Sequence, residues 1–173
     1  ITFNDTVKEA LALALIELMQ EKHLFHISVS EIVKKAGVCR SSFYRNYNSK
    51  EDILIDYIQS KYKHYFQSIL NGTKQIDMQT FLYHRLRFVK QYKEYYVALN
   101  KNNLLFYLFD TMDPDLANFL SDNRCFSNPY HKAMFVSSSA GIIKEWIERD
   151  FKESEKELMA LLANTSHTTK EGN

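Results

Sequence analysis

Residues that break regular structure are so rare in this chain that they nearly decide its fold class. Four glycines and two prolines serve 173 residues, against roughly 7% and 5% in average usage. Sheets joined by tight turns draw heavily on both, because glycine reaches positive φ and proline pre-sets turn geometry. Long helices exclude them, so an almost all-α protein is expected. With 45% hydrophobic and 25% charged residues, the chain is long enough to bury a real core, as one domain or two small ones. Disorder, collagen-like repeats and disulfide scaffolds are excluded on the same grounds. Cys39 and Cys125 are too few and too far apart for a zinc ribbon and suit a reducing cytoplasm. The longest apolar run, Ala10 to Ile16, is stopped by Glu17, far short of the roughly 20 residues that span a bilayer. No membrane partner is expected, and no signal peptide, since no cationic segment leads into an apolar one.

Apolar spacing places the helices. Val7, Leu11, Ala14, Leu15, Leu18 and Met19 recur at helical intervals and lay one stripe along about four turns, with Asn4 or Asp5 available as a cap. Ser28-Val29-Ser30-Glu31 announces a second helix: Ser28 accepts from the Glu31 amide while the Glu31 side chain reaches back. Ile32, Val33 and Ala36 form its buried face, and Gly37 ends it in the left-handed conformation. Val38 is the apolar residue of a tight turn. A third helix, Cys39 to Asn46, turns Phe43 inward with Tyr47 just beyond, and a fourth starts at Asn48-Ser49-Lys50-Glu51-Asp52 and stops at Asn71-Gly72. Later helices are expected at Met78–Tyr92, Glu94–Asn100, Leu104–Leu108 with an extension towards Asp110, Asp115–Ser121, Pro129–Phe151 and Glu153–Asn164. Pro129 fits a first helical turn behind the polar Asn128. The organisation read from this pattern is a head over 1–60, a body over 61–165 and a flexible tail over 166–173.

Two short helices joined by a turn at Gly37-Val38 make a helix-turn-helix over 28–47. Its side chains are sorted: Ile32, Val33, Ala36, Val38, Phe43 and Tyr47 can pack on the first stripe, while Arg40, Ser41, Tyr44 and Arg45 face away and can all donate hydrogen bonds. Charge is sorted too. The formal total is +1, but from Lys22 to Lys50 there are six cations (Lys22, Lys34, Lys35, Arg40, Arg45, Lys50) and one anion, Glu31. The near-neutral total therefore conceals a basic patch on a mildly acidic remainder, and such clustering is what attracts phosphates.

The run from Ser28 to Leu54 closely resembles the DNA-binding segment of the TetR family of bacterial transcription regulators. The resemblance rests on the capped helix at Ser28, the Ala36-Gly37-Val38 turn, the Phe43-Tyr44 pair, the aromatic Tyr47 and the Ser49-Lys50-Glu51 start of the fourth helix. Departures are small: Ser28 replaces the usual Thr, Cys39 a common Ser and Tyr47 a common Phe. The resemblance implies an all-α protein with a three-helix DNA-binding domain and a C-terminal helical ligand and dimerisation domain. It implies that Ser28 caps the helix and touches a phosphate, and that Arg40 reads a guanine through its planar fork. Ser41 and Cys39 would lie at base edges or against a thymine methyl. Tyr44, Arg45 and Lys50 would hold phosphates, the last beside a helix N-terminus that favours anions. Phe43 and Tyr47 would be core. Cys39 reads as a small recognition-helix residue, although a place near the positive end of a helix lowers a thiol pKa.

One helix-turn-helix reads one half-site, so a homodimer on near-palindromic double-stranded DNA is expected. Ala133, Ser137, Ala140 and Gly141 share one helical face, and the resemblance puts subunit contacts there and in the last helix; close packing within one chain is the alternative. The resemblance also implies a small hydrophobic or aromatic effector among the middle helices, with Tyr62, Phe66, Tyr83, Phe88 and Phe106 as its walls, whereas aromatics at helical spacing are otherwise plain core. The segments Tyr95–Phe106 and Gly141–Trp146 resemble the DhaS-like regulators of Gram-positive bacteria, a subgroup that includes a coactivator answering to a protein partner. Catalysis is not expected: there is no phosphate-binding glycine loop, no Gly-x-Ser-x-Gly elbow and no His-Glu-x-x-His, and the six histidines show no metal spacing. No cofactor is expected either.

Overall fold

The structure is a computed structural model that describes residues 2–70, 77–110 and 128–164. Among the described residues there are nine α-helices, one 3₁₀ turn and no strand. They are α1 (Phe3–Glu21), the 3₁₀ turn (Leu24–His26), α2 (Val29–Ala36), α3 (Arg40–Asn46), α4 (Lys50–Leu70), α5 (Met78–Gln91), α6 (Lys93–Lys101), α7 (Leu105–Asp110), α8 (Pro129–Glu148) and α9 (Glu155–Asn164). The expected helix at Asp115–Ser121, the stop at Asn71-Gly72 and the tail lie outside the described residues.

Local chemistry explains where the helices begin and end, with three corrections. The cap of α1 is Thr2, not Asn4 or Asp5. Asp5 is instead the third helical residue and closes a capping box by accepting from the Thr2 amide at 2.8 Å. Cys39 is the N-cap of α3 and not its first residue. The helix expected to reach Phe151 stops at Glu148: Asp150 and Phe151 take positive φ of 52° and 54°, and the Phe151 amide returns to the Trp146 carbonyl at 2.8 Å. That reversal lays the Phe151 ring against Trp146, 4.9 Å between centroids, so burial of two large rings opposes the cost of left-handed non-glycine backbone. The cap at Asn128 forms as expected, its side chain accepting from Tyr130 and His131.

Helix α1 is the central strut. It packs on α2, α3, α4 and α6, and Leu11 and Leu15 on its stripe are fully buried. Helix α4 passes residue 60 without a break, so the boundary expected there falls inside a helix. One apolar cluster runs from Val7 through Phe43, Phe88 and Leu99 to Trp146 and Phe151. Helices α5 and α6 meet at a single residue, Tyr92, which ends one and begins the other.

Candidate nucleic-acid interface

The interface is built by α2 and α3. At the start of α2, the Ser28 hydroxyl accepts from the Glu31 amide at 3.2 Å, and the Glu31 carboxylate accepts from the Ser28 amide at 2.9 Å. Lys22 adds its ammonium to the same carboxylate. These bonds, from Lys22 first and then Ser28, bring the Glu31 pKa down to about 2. Gly37 has φ of +68°, and the Val38 amide behind it closes on the Val33 carbonyl at 3.0 Å. This tight stop turns the chain into α3, where Ser42, Phe43 and then Tyr47 face inward with 5%, 1% and 5% of their surface exposed. Arg40, Ser41, Tyr44 and Arg45 are all exposed on the outer side.

The outer face is partly organised. An Arg40 guanidinium nitrogen donates to the Tyr44 hydroxyl at 3.1 Å, with the cation 5.5 Å from the ring centroid. Arg45 donates to the Ser42 hydroxyl at 3.2 Å. The Cys39 thiol lies 3.1 Å from both the Ser41 and Ser42 hydroxyls, and those contacts, Ser41 first, lower its pKa to about 7. Tyr47 uses the hydroxyl that a phenylalanine would lack, donating to Asp56 at 2.7 Å, where Lys8 also binds at 3.1 Å.

The basic patch is smaller than its count of cations. Lys22 pairs with Glu31, Lys35 reaches Glu17 on α1 at 2.5 Å, and Lys50 donates to the Leu24 and Ile27 carbonyls, both at 2.7 Å. Lys34, Arg40 and Arg45 remain exposed. Lys50, expected on a phosphate, is thus half-buried and holds the turn before α2. Its ammonium adds a second donor to the Leu24 carbonyl, which already accepts from the Ile27 amide at 3.0 Å, and ties the Ile27 carbonyl to the same point.

Residues 11–57 match the family described as bacterial regulatory proteins, tetR family, and residues 76–168, more than half of the chain, match the family described as transcriptional regulator C-terminal region. The chain belongs to the TetR family. As a TetR-family protein it is a DNA-binding transcriptional regulator. Among solved structures it is similar to the fatty acid degradation regulator FadR from Bacillus halodurans, at 21% identity over 92% of this chain and 94% of that one, with a TM-score of 0.47. No curated protein matches the sequence. Among the described residues no helix is long and apolar enough to cross a membrane.

In this TetR-family chain the five residues expected around an effector do not converge. Tyr62, Phe66 and Phe88 form one aromatic stack, with centroids 4.4 Å and 4.8 Å from Tyr62. Tyr83 stands aside, near His84 and under Arg87. Phe106 is 52% exposed. Of the four small residues on α8, Ala133, Ser137 and Gly141 are exposed, with open space around Gly141. Ala140 is turned into the chain's own core, 1% exposed, because it lies on the side of the helix shared with Ile143 and Ile147. Four buried polar residues among those described, Ser42, Arg85, Asn102 and Ser139, escaped the sequence reading, and Arg85 and Asn102 are the largest. Arg85 is 3% exposed, and burial lowers its pKa despite the smaller opposing effect of the Tyr62 and Tyr96 phenols. Asn102 is 5% exposed at the end of α6. Arg85 was legible in principle: it occupies the core face between Phe81 and Val89, where the helical period calls for an apolar side chain.

Proposed function

We propose that this protein is a homodimeric repressor that reads a near-palindromic operator and is released by an effector. The observation that carries the reading is the two-faced α3: Ser42 and Phe43 are buried, while Arg40, Ser41, Tyr44 and Arg45 are presented together on the exposed side. Arg40 reads a guanine, with Tyr44 supporting its guanidinium until DNA engages it. Ser41 and Cys39 lie at the base edges. Ser28, Tyr44 and Arg45 hold phosphates, and Lys50, with two of its three donors taken, has one left for an anion.

Dimer formation is supported by α9, which buries none of its residues, and by the exposed Ala133, Ser137 and Gly141 beside Tyr130 and Met134 on α8. A second copy covering both helices completes a four-helix contact. Effector binding among α4 to α7 then tilts α4 and changes the spacing of the two heads. Control by a protein partner is the second reading, favoured by the close mutual packing of Tyr62, Phe66 and Phe88 where an effector was expected. Selection of bound DNA from a random pool tests the proposal: a near-palindrome should be recovered, and recovery of no enriched sequence by the folded protein would sink it.

A further inference from the structure

Helix α6 holds the DNA-binding head through three directional bonds besides a long one from Lys101 to the Gln20 side chain at 3.4 Å. Gln20 at the end of α1 donates to the Glu94 carbonyl at 2.9 Å, and the buried Tyr95 hydroxyl donates to the Leu54 carbonyl of α4 at 3.0 Å. The third is Asn102. Its side-chain nitrogen donates to the Ala98 carbonyl of its own helix at 2.8 Å, and its oxygen accepts from the Leu24 amide at 2.6 Å. The two partners decide which way the amide points, since one offers an acceptor and the other a donor. Leu24 is 3% exposed, and its backbone is held on both sides of the Cα: the amide by α6 through Asn102, the carbonyl by α4 through Lys50. Lys50 also holds the Ile27 carbonyl, one residue before the cap of α2. The turn that aims α2 and α3 is therefore suspended between a side chain from the body and a side chain from α4. On the same helix, Tyr96 is 3% exposed and lies within electrostatic reach of buried Arg85.

We propose that Asn102 is a positioning residue for DNA reading, which sets the angle of the α2–α3 unit against the body by latching α6 to the Leu24 amide. Apolar contact between the turn and α6 excludes water but tolerates sliding; a directional bond to a buried amide sets register. A displacement of α6 reaches α2 through Leu24 without travelling along α4. The proposal rests on the DNA-reading function above.

The test uses the full chain with Asn102→Ala and Asn102→Asp, the second keeping an acceptor for Leu24. Spin labels on Cys39 and on Glu145→Cys, in a Cys125→Ser background diluted with unlabelled protein, report the angle of the head without DNA, and operator binding is measured separately on the unlabelled Asn102 variants, whose Cys39 is free of any label. The latch predicts a distance distribution that broadens in Asn102→Ala and is narrower in Asn102→Asp. It also predicts operator binding weakened about tenfold or more in Asn102→Ala, with an unchanged salt slope because no phosphate contact is lost. A wild-type distance distribution in Asn102→Ala overturns the latch, as does equal behaviour of the Ala and Asp variants, or an affinity loss accounted for by the unfolded fraction in a thermal melt. If the wild type selects no DNA sequence, the DNA-reading proposal fails, and the distances still decide the latch.

Discussion

Helices α2 and α9 begin with the same chemistry and meet opposite surroundings. Each opens on a serine whose hydroxyl accepts from the amide of a glutamate three residues on, while the carboxylate returns to the serine amide, at Ser28–Glu31 and at Ser154–Glu157. Yet α2 buries Ile32 and Val33 against α1, whereas α9 buries none of its residues and leaves Leu161 54% exposed. A capping box determines where a helix starts, not what its apolar face will meet. That face is satisfied within the chain for α2. For α9 it is met only in part, by Leu158 and Met159 packed against the chain's own core, and in the proposed dimer a second copy covers the rest.

The sharpest attempt to break this contrast is Leu161→Asp. Removing a leucine from a buried face costs about 1.5–3 kcal/mol, and the twofold counts it twice, so sedimentation should show a monomer whose own thermal melt is unaltered. An intact dimer would mean that α9 faces solvent. Phe43→Ala is the counterpart in the head. The loss should be about 3–5 kcal/mol, read in denaturant unfolding of the single chain, with no change in subunit affinity once refolded. Arg40→Ala separates surface from core within α3: operator affinity should fall by about 1–3 kcal/mol and discrimination relax at one position, with stability unchanged. Gly37→Ala should cost about 1–2 kcal/mol of stability. It does so through the left-handed backbone alone, because an added Cβ meets nothing within 4 Å.

The smallest effect compares the two boxes directly. Glu31 is held at about 2 against an ordinary 4.5, with Lys22 as the main cause. A depressed carboxylate pKa means stabilisation that is complete above about 4.5 and lost as pH falls towards about 2. The stability curve of Glu31→Gln should therefore be flatter than wild type across that window and converge with it at the acid end. Glu157 is lowered in the same direction without a lysine in its box, so Glu157→Gln should show the smaller difference in acid unfolding.

Legibility followed the same line between local and distant partners. Ser28, Glu31, Gly37 and Asn128 act within a few residues of themselves, and their roles could be read from the sequence. So could the inward Phe43, because the stripe it joins is nearly adjacent. Lys50 could not, because its two carbonyl partners lie more than twenty residues upstream and nothing in its neighbourhood marks it as internal. Ala140 differs from its small neighbours only by a modest rotation about α8, and only the neighbouring helices decide on which side of the boundary it falls. The aromatic count of the body gave five candidate effector residues, but spacing along α4 and α5 does not say which rings will touch; three of them stack and two do not. Asn102 was invisible for the same reason as Lys50: its partner, the Leu24 amide, is 78 residues away.

The apolar cluster that runs without interruption from Val7 to Phe151 has a consequence for how such chains can be recombined. A head and a body joined by a linker can be traded between relatives like beads on a string. Here a graft cut near residue 60 would sever α4 and part Leu54 from Tyr95 and Leu24 from Asn102. The unit of exchange has to include α6, so a hybrid regulator made from this protein would inherit its specificity only together with the helix that holds the head in place.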